Sequence, residues 1–570
     1  MRKKTVKRIL LAVIIIPVLI SAYFSAPYVI NLIARPYNLH TYKERLAKKE
    51  KLQPVSYFLS QNGNDNNDGK TKNTAWKNIK KINETEFNPG DSILLEGTQT
   101  FQGNIVFDEY DLGTSKKQIF IGSYGNGKAI IDAGDGTAIQ ALNSAGFHVS
   151  NLIVKGIGAD KNEGSGVSFI NNLRGEIKLD FIKIDSVDAY GFGWWGILID
   201  GNRKKSGFRN ITIEYCNVYG NGDAGLYIYG EYNLLSKTYA HENVYIGNVK
   251  AYNNQGRPDS YTNTGSGIVL SDTDNGVIEK CVAYNNGALC HSDQEGPVGI
   301  WTWDARNIII QYNESYNNKT GAAKDGGGFD LDGGMVNSIM QYNYSHDNDG
   351  SGFFLAQFTY AKIHSGNIIR YNISKNDGRK NGYAGIDIWG EVENAYIYNN
   401  IIFLSPALKD TPNALFIRPN TELDDPKFPQ NIIITNNIFT TSGNVNLVNS
   451  VKEISSVKLM NNDYYNRDFN FVFKWEGEIF SSFEEWRKIS SQEKEGLAAD
   501  TMWQQASPND SLKIASKILL YNLQSESPLN DKGINIQQVY KIKKVTQDIN
   551  GVKLPQQSGF DLGACEFLKK

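Results

Sequence analysis

Cysteine is scarce in this 570-residue chain: four residues, at 216, 281, 290 and 565. That excludes a disulfide-framework fold. Cys216 and Cys281 fall at a repeated inward position and read as buried thiols; Cys290 and Cys565 could pair only if the fold brings them together. Charge of one sign is lacking too. Fifty-nine Lys and Arg against 61 Asp and Glu leave a formal net charge of −2, with no bias toward a polyanion, so nucleic acid is not an expected partner. Helical periodicity is almost absent between residues 100 and 460. No phosphate-binding glycine loop, zinc-spaced Cys/His set or serine-nucleophile elbow occurs. Instead, Asn and Gly crowd the middle of the chain, and 31 Tyr help bring aromatics to 12%.

Long apolar runs are confined to the N-terminus. Residues 9–34 carry no charge and follow Arg2, Lys3, Lys4, Lys7 and Arg8. The run is long enough to span a bilayer, and the flanking charge predicts an inside N-terminus with an exported body. This places the protein in the cell envelope, anchored in the membrane through residues 9–34. If the segment is instead a cleaved signal, the protein is secreted. The expected organisation is an anchor or signal at 1–34, a charged tether at 35–54, a repeat body at 55–470, and closing coils with a cap at 471–570.

The body is built from a repeated frame. Short strands opening on glycine recur at Gly196, Gly225, Gly267, Gly299, Gly352 and Gly385, and GGGFDLDGG (326–334) fits the same frame. The first and third residues after each glycine are mostly apolar, and the second and fourth vary. This is the alternation of a strand with a packed inner face and a different outer one. A second pattern, NITIEYCNVYGN (210–221), aligns without gaps with segments starting at 243, 275, 307 and 337 and continues at 366, 394 and 431. Its seventh position holds Cys216, Val249, Cys281, Asn313, Asn343, Asn372, Asn400 and Asn437, which predicts asparagines passing hydrogen bonds from coil to coil. A period near 30 residues with several strands per turn predicts an all-β solenoid whose coils bury their apolar faces on one another. Ser482 with Glu485 forms a capping-box pattern before FEEWRKI and predicts a short helix at about 483–490 that caps the end.

These residues resemble the bacterial right-handed parallel β-helix proteins of the pectate-lyase-like class. The opening at 57–97, the segment GGGFDLDGGMVNSIMQYNYSHDNDGSG (326–352), and the closing SPLNDKG (527–533) and FDLGACEF (560–567) carry the resemblance, which covers about residues 55–568. It implies the fold and a carbohydrate-active role. It does not choose among hydrolases, lyases, epimerases and surface proteins.

In such a solenoid the outward residues form two columns. One runs Ser168, Leu198, Tyr227, Val269, Trp301, Asp330, Phe354, Asp387, Phe416; the other runs Ile170, Asp200, Tyr229, Ser271, Trp303, Asp332, Ala356, Trp389, Arg418. With coils roughly 4.8 Å apart, Tyr227, Tyr229, Trp301, Trp303 and Trp389 surround Asp330, Asp332 and Asp387, as a sugar site requires. Long loops at 255–266, 287–298 and 319–327 are expected to wall one edge and bring His291 and Lys324 to the substrate. Glycoside hydrolysis would use Asp330 and Asp332, roughly 6–7 Å apart by strand rise, or Asp330 and Asp387 two coils apart. Both spacings predict inversion. The alternative is elimination on, or epimerisation of, a uronate, with base or charge from Lys324, His291, His346 or Arg306. Calcium could then be held among Asp325, Asp347 and Asp349 together with the strand acids. A third reading is a non-catalytic glycan-binding surface protein.

Overall fold

The computed structural model describes residues 39–568 apart from 202–205, 232–236, 323, 423, 452–453, 455, 504–520 and 557. The expected membrane segment, 9–34, lies outside the described residues. Among the described ones no helix is long and apolar enough to cross a membrane.

Three sheets of 14, 14 and 13 strands run the length of the body, and each coil contributes one strand to each. Among the described residues the strands of successive coils pair in parallel, and the last hairpin, Phe473–Trp475 with Glu478–Phe480, is antiparallel. One coil shows the pattern. Val298–Trp303 lies in the second sheet, Arg306–Gln311 in the first and Glu314–Tyr316 in the third, after which a loop leads to Gly327–Leu331. Inward residues merge into one apolar core from Leu59 to Trp486.

The sequence explains the corners. Positions one, six and eleven of the aligned segment adopt left-handed backbone, as at Asn307, Tyr312 and Asn317 (φ 57°, 56° and 51°). Asparagine tolerates that region best among side-chain-bearing residues, so much of the Asn-richness comes from turns. The leading glycines have a different cause. A Cβ on Gly328 would stand 2.1 Å from Ser345 Oγ of the third sheet, so no larger residue fits where the two sheets meet.

The asparagine ladder is present and longer than expected. Each side-chain amide donates to the next carbonyl oxygen, Asn313 to Asn343, Asn372, Asn400, Asn437 and Asn462, at 2.9–3.0 Å, and Asn462 donates to Glu493 at 2.6 Å. A second ladder, not expected, runs through Asn221, Asn254, Asn286, Asn318 and Asn348 to Asp377. Both end on a carboxyl, a group that accepts without needing to donate onward.

Helix Leu39–Lys49 lies where the tether was expected, and it covers the first coils. Lys49 Nζ is buried against the carbonyls of Phe87 and Tyr110 and pairs with Glu86. At the other end helix Phe483–Ser490 forms as expected, with Ser482 accepting from the Glu485 amide and Trp486 stacked on Phe473 at 4.4 Å. Residues 521–568 do more than cap. They run back along the corner between the first and third sheets, packing on Tyr342, Tyr371, Tyr398 and Ile438. All four cysteines are free and buried, so Cys290 and Cys565 do not pair.

Asp463, beside the ladder's end, is fully buried, and one of its oxygens has no partner. Burial pushes its carboxyl up to about 8, outweighing the amide of Ala499; Asp500 and Glu493 add to the rise. A carboxyl raised above its unfolded value binds its proton more tightly in the native state. Its stabilising effect is therefore complete below about pH 4 and is lost as pH rises toward 8. Asp463→Asn is expected to remove that contribution. In urea denaturation at pH 5 and pH 8 its stability falls less than the wild type's, with about 1–3 kcal/mol separating the two slopes.

Candidate functional site

The outward faces of the second sheet meet in a single cleft. Register pairs Leu198, Tyr227, Val269, Trp301, Asp330, Phe354, Asp387 and Phe416 in one unbroken column. The second column is seen in the pairs Ile170–Asp200, Asp200–Tyr229, Ser271–Trp303, Ala356–Trp389 and Trp389–Arg418. Asp332 stands just past the end of its strand, its amide bonded to the Thr302 carbonyl, so it points from a turn rather than from the strand proper.

Two walls enclose this floor. The expected loops supply Thr262, Asn263, Gln294, Glu295, Lys324 and Asp325 on one edge. Segments 357–363 and 419–430, which carry no repeat signal, supply Phe358, Thr359, Thr421 and Glu422 on the other. The cavity between them measures about 880 Å³. Tyr227, Tyr229, Trp301, Trp303, Trp389, Asp330, Asp332 and Lys324 all line it, so most of the site expected from sequence comes together. The rings are held in place: the Trp301 indole N–H donates to Ser266 Oγ at 3.1 Å, and Tyr229 packs against Trp303 at 6.3 Å.

The acids occupy distinct environments. Asp330 is only 4% exposed, and its Oδ1 has no partner. Burial, then the charges of Asp332, Asp325 and Asp387, hold its carboxyl well above the ordinary range. Asp332 is pushed up to about 8, first by burial and then by Asp325, Glu295 and Glu422, against one opposing hydrogen bond from the Gly333 amide. Burial thus favours the protonated form of both. Asp325 is also raised by burial, yet it is the acid with donors aimed at it: Tyr383 Oη–H at 3.2 Å and the Gly296 amide at 3.0 Å, with Lys324 and Arg418 nearby. That arrangement supports its ionised form.

Several expectations are corrected. Asp387 is fully buried and clamped by Arg418, Nε to Oδ1 at 3.1 Å and Nη2 to Oδ2 at 2.9 Å, with Ser351 on the same carboxylate. It does not line the cavity and serves to fix Arg418, which is also packed among Phe416, Tyr383 and Phe354. His291 is exposed on its loop and is not among the residues that line the cavity. The proposed calcium ligands do not converge. Asp325 faces the cavity, Asp347 pairs with His346, and Asp349 pairs with Lys319. Among the described residues no three His, Cys, Asp or Glu side chains form a metal-holding group, so this donor set does not suit calcium. Arg306 is tied to Asp274, and His346 ends a stack of tyrosines on the third sheet; neither reaches the cavity.

Asp223, Glu295, Tyr383, Arg418 and Glu422 were not assigned to the site from sequence. Arg418 stood in the outer column beside Trp389, and an opposite charge next to Asp387 was the signal to read. Glu422 is pushed up by burial, but hydrogen bonds from Thr359 and Asn420 outweigh this and hold it below the usual range.

A family model described as right handed beta helix region matches residues 176–402, which include most of this floor. The chain is a right-handed parallel β-helix. A lacto-N-biosidase of Bifidobacterium longum subsp. longum is 24% identical over 451 residues, 61% of this β-helix chain and 27% of that protein, so the match spans about a quarter of the relative's length. A lacto-N-biosidase structure from Eubacterium ramulus is 19% identical with a TM-score of 0.46, covering 64% of this chain and 65% of that one. A pectate lyase structure is 15% identical with a TM-score of 0.44, covering 91% and 98%.

Proposed function

We propose that this β-helix hydrolyses glycosidic bonds of uncharged oligosaccharides, with Asp332 as proton donor and Asp325 as its ionised partner. The lining of the cavity carries the reading. Six carboxyl groups (Asp223, Glu295, Asp325, Asp330, Asp332, Glu422) surround an aromatic platform, against two cations, Lys324 and Arg418. Arg418 is already matched by Asp387. Elimination on a uronate needs positive charge to neutralise the substrate carboxylate; this cavity repels it. Aromatic planes beside carboxyls suit a neutral pyranose, whose C–H face stacks while its hydroxyls find polar partners. Hydrolysis needs one protonated and one ionised carboxyl. Asp332 and Asp325 supply that contrast, while Asp330, lacking any donor, stays neutral beneath the substrate. The lacto-N-biosidase relative supports a glycoside hydrolase and suggests lacto-N-biose units in the substrate. We further propose that the body works outside the cytoplasm, tethered through residues 9–34.

The deciding assay incubates the protein with neutral oligosaccharides ending in lacto-N-biose and, separately, with uronic polysaccharides. New reducing ends on the neutral set, without ultraviolet-absorbing unsaturated products, are expected. Unsaturated products from uronates would move the assignment to elimination, and binding without turnover would leave a glycan-binding surface protein. The pH dependence has a definite sign. A proton donor acts while protonated, so kcat/KM is expected to hold through neutrality and fall as pH rises through about 8, the position to which burial carries Asp332.

A further inference from the structure

The cavity is longer than its chemistry requires. Its floor runs from the coil of Tyr227 to that of Arg418. Register gives six steps between them, about 29 Å at the usual strand separation. Asp330, Asp332 and Asp325 sit in the middle. One half carries the Tyr229–Trp303 platform and ends at Asp223; the other carries Trp389 and ends at Arg418, Thr421 and Glu422.

Asp223 is placed with care. It lies in the turn before Ala224, on the same edge and at nearly the same turn position that Asp325 occupies before Gly327. Ala224 pairs with Ser266, and Val298 with Gly327, so the two acids stand three coils apart, about 14 Å along the axis. Trp195, beneath it, stacks against Trp194, and Arg257 packs on the Trp194 ring at 4.4 Å, which stiffens this end of the wall. Around the Asp223 carboxyl the cavity offers Tyr227, Asn263 and Glu295, groups that can share hydroxyl hydrogen bonds with it.

We infer that Asp223 is a specificity-determining residue of this cavity: it grips the hydroxyls of the sugar unit at the far end of the platform and so sets how much chain is held on that side of the cut. The inference rests on the hydrolase reading for the position of the cut, and on geometry alone for the grip. Asp223 makes no contact with the bond to be broken. Burial pushes its carboxyl up to about 7, opposed by Arg257 and Trp195, so near neutrality it can both give and accept a hydrogen bond. That is the property a pair of sugar hydroxyls exploits.

The test uses the full chain carrying Asp332→Asn, which binds without turnover, and calorimetric titration with neutral oligosaccharides from lacto-N-biose upward. Affinity is expected to rise by about tenfold at the length that first reaches Asp223. Adding Asp223→Ala should abolish that increment, with a smaller loss for chains too short to reach. The increment should also change with pH between about 6 and 8 in the parent and be flat in the Asp223 variant, a signature that a purely structural role does not produce. Equal loss at every chain length, or an increment that survives Asp223→Ala, overturns the inference. An intact increment in a wild-type protein that never cleaves would overturn the hydrolase reading and leave this one standing.

Discussion

Asp332→Asn is expected to lower kcat by about 10³-fold while the protein remains folded. The amide keeps the shape and the acceptor oxygen that takes the Gly333 N–H, and it loses the proton to be donated. It also replaces a carboxyl that is costly to ionise where it is buried, so the denaturation midpoint should stay level or rise. Asp325→Asn should cost as much, since the amide keeps one acceptor oxygen for Tyr383 or the Gly296 N–H but carries no charge to activate water or attack carbon. Asp330→Asn should cost less, about tenfold, because Asp330 neither donates the proton nor carries the charge in this assignment. Circular dichroism and urea denaturation separate these losses from misfolding. NMR of the first-formed anomer then reports the partner's role. Inversion is the outcome that strand spacing gives to Asp330 with Asp332, and it would shift the base role to Asp330. Full activity in both Asp332→Asn and Asp325→Asn would end the assignment.

How much of this was legible in sequence depends on what repeats. The outer columns were readable because alternation along each glycine-led strand fixes which side chains face out, and a constant repeat fixes which of them are neighbours. Trp301, Asp330 and Phe354 had to be adjacent once the frames were aligned. The second wall was not readable. Segments 357–363 and 419–430 share no pattern with other coils, and whether a loop folds over the sheet depends on contacts with another loop, such as Thr359 with Glu422. For the same reason His291 was wrongly expected to face the substrate: loop length locates a wall but does not aim its side chains. Asp223 looked like any loop aspartate until the cavity joined it to Tyr227 and Glu295. The asparagines divided into two causes that sequence alone had merged, left-handed corners and buried ladders. The second ladder was missed because its asparagines sit at segment ends, where turn propensity already explained them.

The ladder makes the largest stability prediction. Asn372→Leu is expected to destabilise the β-helix by about 4 kcal/mol or more, although leucine is apolar, similar in size and the position is fully buried. The amide is central to five hydrogen bonds. Its Oδ1 accepts from the Asn343 backbone N–H at 2.9 Å and from the Asn343 side chain at 3.0 Å. Its Nδ2 donates to the Met340 carbonyl and to Asn400 Oδ1, whose oxygen also takes the Asn372 backbone N–H. Leucine leaves two Asn343 donors buried without partners, at about 1–3 kcal/mol each, and removes the amide's bonds to the Met340 carbonyl and Asn400. Water cannot reach them, because this corner is sealed by Tyr342, Tyr371, Tyr398 and the returning C-terminal segment. Cys281 tests the converse. It occupies the same ladder position before the asparagines begin, donates only weakly through sulfur, and takes only weak sulfur hydrogen bonds from the Val249 and Asn248 amides of the preceding coil. Cys281→Val should therefore cost about 1 kcal/mol or less. A comparable loss for both substitutions would mean that the ladder contributes packing alone, and that the native register of these coils, and with it the alignment of Trp301, Asp330 and Phe354 above, is set by the apolar core without help from the amides.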